Sequence, residues 1–242
     1  MICRTDLSLC GVITNIKRCV VSGWHIIPLD VELDTRHTMI ELLNCDCMEY
    51  MATVPDKYFD LSIVDPPYGI GDEKLTSGGT WAAKYKKGDC SWDVAPDSSY
   101  FLELMRVSKN WIVWGGNYFS HNLPAARCFI VWRKLQMLGM HTMADCELAL
   151  TSMDKNAKIY NGNNSGDRIH PTQKPVALYE WLLTNYAKKG QRVFDSHLGS
   201  ASSAIAAHYF GVDFVGCELD KDYFEAAKAR FDMATKQLAM SI

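Results

Sequence analysis

The sequence lacks several features that would assign it to a protein class at once. Its nine cysteines include no CxxC pair, it contains no run of eighteen apolar residues, and its formal net charge is only −3 over 242 residues. The chain is too long for a disulfide-stapled mini-protein, and we expect free thiols and no metal site. No segment has the length of a transmembrane helix, and residues 1–30 lack the layout of a signal peptide, which predicts a soluble, cytoplasmic protein.

The composition predicts one main domain. With 48% hydrophobic residues, the chain has enough apolar side chains for one sizeable core. We expect an N-terminal extension of unknown role at residues 1–30, which packs on the core, and a single domain at residues 31–242. Cys45 and Cys47 are expected on the same side of a strand. Because the net charge is low, a nucleic acid would have to bind to a local basic patch.

Strand-like and helix-like segments alternate along the chain, which predicts a doubly wound α/β fold with a mostly parallel sheet. Helices are expected between the strands, the last one capped by Asp220. Polar stretches at about 69–98 and 154–170 are expected to be loop insertions. Seven strands are predicted, in the segments MIELLNCD, FDLSIVD, WIVWGG, CFIVWRK, CELALTS, RVFD and DFVGCEL.

A small-residue loop follows the strand RVFD. Asp195 ends that strand, Gly199 permits a tight turn, Ser200 is small, and Glu218 ends the next strand. This pattern is typical of a nucleoside site, in which the loop passes under the cofactor and the later acid binds the ribose, although an ordinary strand-to-helix turn looks similar. The three-glycine dinucleotide motif and the lysine-bearing phosphate loop are both missing. A cofactor without pyrophosphate therefore fits better, and S-adenosyl-L-methionine is the common one.

The segment DPPY at residues 65–68 ends another buried strand. Pro66 and Pro67 make a rigid corner, so the carbonyl of Pro66 points in a fixed direction beside the Asp65 carboxylate. Two acceptors at one point suit the two hydrogens of an amino group, and Tyr68 offers a face on which a base can stack. The alternative interpretation is a simple turn with a solvated acid. The sequence contains no Pro-Cys pair, which argues against methylation of a cytosine ring carbon.

Taken together, the motifs resemble the DNA amino-methyltransferases of the permuted, or beta, class. The resemblance covers about residues 39–233 and depends on DPPY at 65, RIHPTQKPVALYEWLL at 168, VFDSHLGS at 193 and the following GCELDKDYFEAAKARF, in which the catalytic half precedes the cofactor half. It implies a Rossmann-like, circularly permuted methyltransferase sheet. It also implies a catalytic DPPY segment and a set of cofactor-binding residues, namely Asp46, Asp195, His197, Gly199, Ser200, Glu218, His170, Thr172 and Lys174.

The resemblance further implies transfer of a methyl group to the N6 amine of adenine in double-stranded DNA, as in restriction–modification systems. The family's adenine enzymes usually carry Asp at position 65, whereas its cytosine-N4 enzymes more often carry Ser. The target base would leave the duplex stack, and the methyl group would pass directly to the amine. A chain of this size either recognises a short site, as a homodimer, or depends on the flipped base and its neighbours. The alternatives are cytosine-N4 methylation, RNA methylation, or a DNA- or cofactor-binding homologue with little turnover.

Three positions depart from the family pattern. Ser196 and His197 replace the usual Pro and Phe, and Ala201 replaces a second Gly, where its Cβ is expected to approach the cofactor. For Lys174, a role as partner of a neighbouring carboxylate remains equally open. Basic and aromatic residues expected to contact DNA occur in and near the two loops, at Trp81, Lys84, Tyr85, Lys86, Lys87, Arg133, Lys134, Lys155, Lys158 and Arg168.

Overall fold

The computed structural model describes residues 38–70, 93–134, 144–163, 169–170 and 172–236. The predicted extension at residues 1–30 and most of the predicted loop at 69–98 lie outside the described residues. Within the described ranges, the strands are β1 Ile40–Asn44, β2 Leu61–Val64, β3 Trp111–Trp114, β4 Phe129–Lys134, β5 Cys146–Thr151, β6 Lys158–Gly162, β7 Arg192–Asp195 and β8 Asp213–Glu218. The helices are α1 Cys47–Thr53, α2 Ser98–Val107, α3 Val176–Tyr186, α4 Ser202–Phe210 and α5 Lys221–Lys236.

These strands form one sheet in the order β1-β8-β7-β2-β3-β5-β4-β6. The first five are parallel neighbours, β5 is antiparallel to both β3 and β4, and β6 is parallel to β4. The prediction of a mostly parallel, doubly wound α/β sheet is therefore confirmed. Because β1, β8, β7 and β2 are parallel and adjacent, their carboxyl ends lie along one edge of the sheet.

The predicted number of strands was wrong by one. The structure has an eighth strand, β6, within the segment 154–170 that was expected to be a polar loop. Its residues, KIYNG, are mostly exposed, because β6 is an edge strand held by backbone pairing with β4 rather than by burial of an apolar face. The buried Trp132 also fastens it, since its indole Nε1 donates a hydrogen bond to the Gly162 carbonyl at 2.9 Å.

Two hydrophobic layers cover the sheet, one on each face. On one face, Leu61, Ile63 and Trp114 pack with buried residues of α3, α4 and α5. On the other, Val64 and Val113 pack with buried residues of α1 and α2. The side chains of β2 and β3 thus alternate between two apolar layers, which explains why these strands read as continuous hydrophobic runs.

Side chains of aspartates begin several helices. Asp46 accepts a hydrogen bond from the backbone of Met48 at the start of α1, and Asp220 caps α5 as predicted. Since β1 ends at Asn44 and Cys47 opens α1, the expectation that Cys45 and Cys47 share one side of a strand was wrong. No described helix has the length and hydropathy needed to cross a membrane. No cluster of metal-binding side chains occurs among the described residues.

Candidate active site

Four acidic residues follow or end neighbouring strands at the same edge of the sheet. Asp65 follows β2, Asp195 ends β7 and Glu218 ends β8, while Asp46 lies two residues beyond the end of β1. Register places Asp195 beside Gly216 and Asn44 beside Glu218. The sheet therefore brings the two loops predicted to be functional to one edge, as the rule for doubly wound sheets requires.

The DPPY segment forms a closed corner after β2. The Tyr68 hydroxyl donates a hydrogen bond to Asp65 Oδ1 at 2.7 Å, and Pro66 is buried. The described residues donate no hydrogen bond to the Pro66 carbonyl. The ring of Tyr68 stacks on Tyr118, with centroids 4.9 Å apart and planes inclined by 21°. Tyr118 is 45% exposed, so one face of the Tyr68 ring is covered by a side chain at the surface.

Lys174, which precedes α3, reaches the DPPY corner. Its ammonium donates a hydrogen bond to Asp65 Oδ2 and lies 3.1 Å from Glu147 Oε2 on β5. Lys134 at the end of β4 contacts the other oxygen of Glu147 at 2.5 Å. The sequence left open whether Lys174 contacts the cofactor or a neighbouring carboxylate, and the structure shows it paired with two carboxylates. Its cofactor role stays a prediction.

Burial and pairing shift the pKa values of these groups in different directions. Burial opposes a charged lysine, but the carboxylates of Asp65 and Glu147 outweigh it and raise the pKa of Lys174. Burial likewise opposes the ionised form of Glu147, yet Lys174 and Lys134 lower its pKa to about 2. Burial and the nearby Glu147 raise the pKa of Asp65 in spite of Lys174. The two lysines thus favour the ionised form of Glu147, and the two carboxylates favour the charged form of Lys174.

Asp195 holds the turn between β7 and α4. It is 1% exposed, and its two oxygens accept hydrogen bonds from the backbone of His197 at 3.0 Å and the hydroxyl of Ser203 at 2.6 Å. Burial raises the pKa of Asp195 to about 7, although both hydrogen bonds oppose this shift. The carboxylate fixes the path of the loop by bonding residues on each side of it.

Glu218 fixes the same loop from β8. Its carboxylate accepts hydrogen bonds from the backbone N–H of Gly199 at 2.9 Å and of Asp220 at 3.1 Å. A Cβ built on Gly199 would meet only the His197 carbonyl, at 3.9 Å, so the space beside this glycine is open. The carbonyl of Ser200 accepts a hydrogen bond at 2.5 Å from Arg230 of α5.

The departures from the family pattern have visible consequences. Ser196 Oγ lies 2.6 Å from the Tyr100 hydroxyl and 2.8 Å from His197 Nδ1, so these side chains form a short hydrogen-bonded chain. Burial lowers the pKa of His197 to about 4. Ala201 has a left-handed backbone, with φ of 58°, and is completely buried in the core. The left-handed backbone carries strain for a residue with a Cβ, and the approach of this Cβ to the cofactor stays a prediction.

His170 of the HPTQKP segment lies against α5. The imidazole of His170 lies edge-to-face against Tyr223, with centroids 4.4 Å apart, and its Nδ1 is 3.1 Å from the Thr172 hydroxyl. Burial, together with the charge of Lys174, lowers the pKa of His170 to about 4. Thr172 is exposed. A contact of His170 and Thr172 with the cofactor stays a prediction.

The residues expected to contact DNA have different outcomes. Lys134 is only 16% exposed and forms an ion pair with Glu147, and its contact with DNA stays a prediction. Arg133 is exposed, whereas Lys155 and Lys158 bond the backbone and side chain of Asn185. The remaining ones, Trp81, Lys84, Tyr85, Lys86, Lys87 and Arg168, lie outside the described residues.

Several site residues were not found from the sequence. Glu147 reaches the DPPY corner from an antiparallel strand, and Tyr100 and Arg230 come from helices, so no motif links them to the site. Tyr118 had a detectable signal, because an aromatic residue after the double glycine that follows β3 lies at the same sheet edge as Tyr68.

The chain is similar in sequence to curated methylases. The chain is 25% identical over 218 residues to a putative methylase, YubD, of Escherichia coli strain K12, covering 84% of this chain and 93% of the relative. It is 22% identical over 244 residues to the type II methyltransferase M2.DpnII of Streptococcus pneumoniae, covering 79% and 89%.

Solved structures show the same fold. The M1.HpyAVI–SAM complex matches with a TM-score of 0.56 and 20% identity, over 80% of this chain and all of that one. The cytosine-N4-specific PvuII DNA methyltransferase matches with a TM-score of 0.55 and 12% identity, over 82% and 92%. A family model described as DNA methylase, of the N6/N4 methyltransferase type, matches residues 84–229, which is more than half of the chain. The chain therefore belongs to the N6/N4 DNA methylase family.

Proposed function

We propose that this protein transfers a methyl group from S-adenosyl-L-methionine to the exocyclic N6 amine of adenine in DNA. The observation that carries the proposal is the corner after β2, where the buried Pro66 follows Asp65 and the Asp65 carboxylate accepts the hydrogen bond of the Tyr68 hydroxyl. The adjacent strands β7 and β8 end in Asp195 and Glu218. An amine acceptor site and a nucleoside site thus share one sheet edge.

The residues at the ends of β7 and β8 fit S-adenosyl-L-methionine. Open space beside Gly199 leaves room for a ligand against the loop backbone. Each oxygen of Glu218 accepts one backbone hydrogen bond and keeps a further lone pair for a ribose hydroxyl. The related M1.HpyAVI structure is described as a complex with this cofactor. When bound, S-adenosyl-L-methionine supplies an electrophilic methyl group on a sulfonium.

Asp65 and Pro66 would activate the target amine. The lone pair of the adenine amine is delocalised into the ring, so the amine is a poor nucleophile. Two hydrogen bonds from the amine to Asp65 and to the Pro66 carbonyl favour tetrahedral nitrogen and stabilise the positive charge that develops there. Tyr68 holds the base by stacking once the base has left the duplex, a step that costs a few kcal/mol.

Adenine is preferred over the cytosine amine because Asp65 resembles the residue usual in the adenine enzymes of the family. The likeness to the PvuII enzyme, which is cytosine-N4-specific, is at 12% identity and concerns the fold alone. M2.DpnII is a type II methyltransferase, and we extend to this chain the proposal of site-specific DNA modification. A cytoplasmic location and a homodimer stay predictions.

Product analysis tests the proposal. The protein is incubated with methyl-tritiated S-adenosyl-L-methionine and either methyl-free amplified genomic DNA or RNA, and the nucleic acid is hydrolysed to nucleosides. We expect the label in N6-methyladenine from DNA. Label in N4-methylcytosine would change the base assignment, and label in RNA alone would overturn the DNA substrate. Calorimetric binding of the cofactor without any product would favour the binding homologue.

A further inference from the structure

Four charged side chains lie together behind the DPPY corner, and we call Asp65, Glu147, Lys134 and Lys174 the charge cluster. Their exposures are low, from 3% for Lys174 to 22% for Glu147. The cluster pairs two acidic side chains with two lysines. Charges removed from water to this degree interact strongly, and a lysine in such a place needs a carboxylate partner at all times.

The contacts within the cluster are unequal. Lys174 donates a hydrogen bond to Asp65 Oδ2, whereas Glu147 Oε2 is 3.1 Å from the same ammonium without accepting a hydrogen bond from it. Oε2 is buried and accepts no hydrogen bond from the described residues. Lys134 satisfies the other oxygen of Glu147 at 2.5 Å. Glu147 Oε2 therefore forms an ion pair with Lys174 but can still accept a hydrogen bond.

Lys174 stands where the proposed function needs the target amine. Oδ1 of Asp65 accepts the hydrogen bond of the Tyr68 hydroxyl and Oδ2 accepts that of Lys174, so each oxygen that the amine could bind already has one donor. An ammonium beside Asp65 also opposes the positive charge that develops on the amine during methyl transfer. Displacement of Lys174 frees Oδ2 of Asp65 for the amine and removes this opposing charge.

We propose that the target amine displaces Lys174 from Asp65, and that Glu147 is the positioning residue that receives the displaced ammonium at Oε2. The inference rests on the proposed function. Glu147 keeps Lys174 paired after the displacement, which avoids the cost of a buried charge without a partner. Lys134 stays on the other oxygen of Glu147, so the receiving carboxylate is already held in place.

Removal of the receiving carboxylate tests this exchange. In Glu147→Gln, Lys174 keeps Asp65 as its only carboxylate partner in the cluster, and the amine must compete with a stronger pair. We expect the KM for methyl-free amplified genomic DNA to rise about tenfold or more, because the ammonium now leaves a buried carboxylate without an equal replacement. The dissociation constant for S-adenosyl-L-methionine, measured by calorimetry, should stay within about twofold. Glu147→Asp keeps a carboxylate, so its KM should return most of the way to the wild-type value.

A double-variant cycle separates this role from simple structural support. In a Lys174→Gln background the ammonium is gone, so Glu147→Gln should change the KM for DNA by less than about twofold. An equal rise in the KM for DNA on Glu147→Gln in both backgrounds would overturn the exchange. A Glu147→Gln enzyme with the KM of the wild type would overturn it as well. If the wild-type protein transfers no label to DNA, the proposed function itself fails, and the inference fails with it. Thermal unfolding of each variant checks that the fold is intact.

Discussion

Gly115 lies directly against the ring of Tyr68. A Cβ built on Gly115 would be 2.3 Å from Tyr68 Cε1, closer than two carbon atoms can approach, and the backbone of Gly115 has a φ of +70°. Gly115 follows β3, which pairs with β2. The residue after β3 therefore determines where the ring of Tyr68, which comes after β2, can lie. The orientation of the tyrosine in DPPY thus depends on a glycine that lies 47 residues further along the chain.

Replacement of Gly115 by Ala is expected to impair the substrate side of the site. The added methyl must push the Tyr68 ring from its position, so we expect kcat/KM for DNA to fall about a hundredfold, while cofactor affinity changes little. Steady-state methylation and calorimetry measure the two effects separately.

Gly211→Ala is the matched control for this change. Gly211 also has a positive φ, of +88°, but a Cβ there would meet only Lys189 at 3.8 Å or more. Both variants carry a backbone strain on the order of 1 kcal/mol, and only Gly115→Ala collides with Tyr68. Equal losses of activity in the two variants would show that strain, and not the position of Tyr68, is responsible.

The left-handed backbone at Ala201 predicts that replacement by Gly costs little stability and that replacement by Val costs much more. Ala201→Gly releases strain of about 1–2 kcal/mol and loses burial of a methyl worth about 0.8 kcal/mol, so the free energy of unfolding should change by less than about 1 kcal/mol. Ala201→Val puts a β-branched residue at the same φ in a filled core, and should cost about 3 kcal/mol. Denaturant unfolding measures both, and a Val variant as stable as the wild type would contradict the backbone shown here.

The buried His197 predicts a pH dependence of stability. Its pKa is lowered from 6.5 to about 4, so the unfolded chain binds a proton in a range where the folded protein does not. The contribution of His197 is fully present above pH 6.5 and is lost as the pH falls towards 4. Relative to His197→Phe, the wild type should lose on the order of 2 kcal/mol of unfolding free energy between pH 7 and pH 4.5. A difference that does not vary with pH would mean that His197 is not buried as a neutral group.

Arg230 is expected to support cofactor binding through the loop backbone. It donates hydrogen bonds to the Ser200 carbonyl and, at 2.9 Å, to the Ser202 hydroxyl. Arg230→Met leaves that carbonyl without its charged donor, so affinity for S-adenosyl-L-methionine should fall about tenfold in calorimetry. Arg127→Met, which removes an exposed arginine paired with Asp154, should leave the affinity unchanged.

The sequence predicted the parts of the site that depend on strand ends. Three acidic residues come at the ends of strands that contain β-branched or aromatic residues, namely Asp65, Asp195 and Glu218. Parallel pairing alone brings such residues to one edge of the sheet. The sequence identified three departures from the family pattern, at Ser196, His197 and Ala201. It did not predict the structural effects of these residues. Those effects depend on a hydrogen bond to Tyr100 and on a φ angle, neither of which is encoded locally.

The remaining contacts depend on tertiary packing. The polar edge strand β6 gave no hydrophobic signal, because backbone pairing holds it. The contact of Lys174 with Asp65 spans 109 residues, and Glu147 joins it from an antiparallel strand. A lysine in a polar motif looks the same in sequence whether it binds a ligand or a buried carboxylate. Only the fold distinguishes these two roles.

The proposed activation of the target amine by Asp65 is tested by comparing the two aspartates that flank β2. Asp65 follows the strand, whereas Asp60 precedes it and pairs with Lys109 at the opposite edge of the sheet. We predict that Asp65→Ala lowers the single-turnover rate of methyl transfer to DNA at least about a hundredfold, and that Asp60→Ala, when folded, keeps a rate near that of the wild type. Both variants should bind S-adenosyl-L-methionine. An Asp65→Ala enzyme that methylates adenine at the wild-type rate would contradict the proposed role of Asp65.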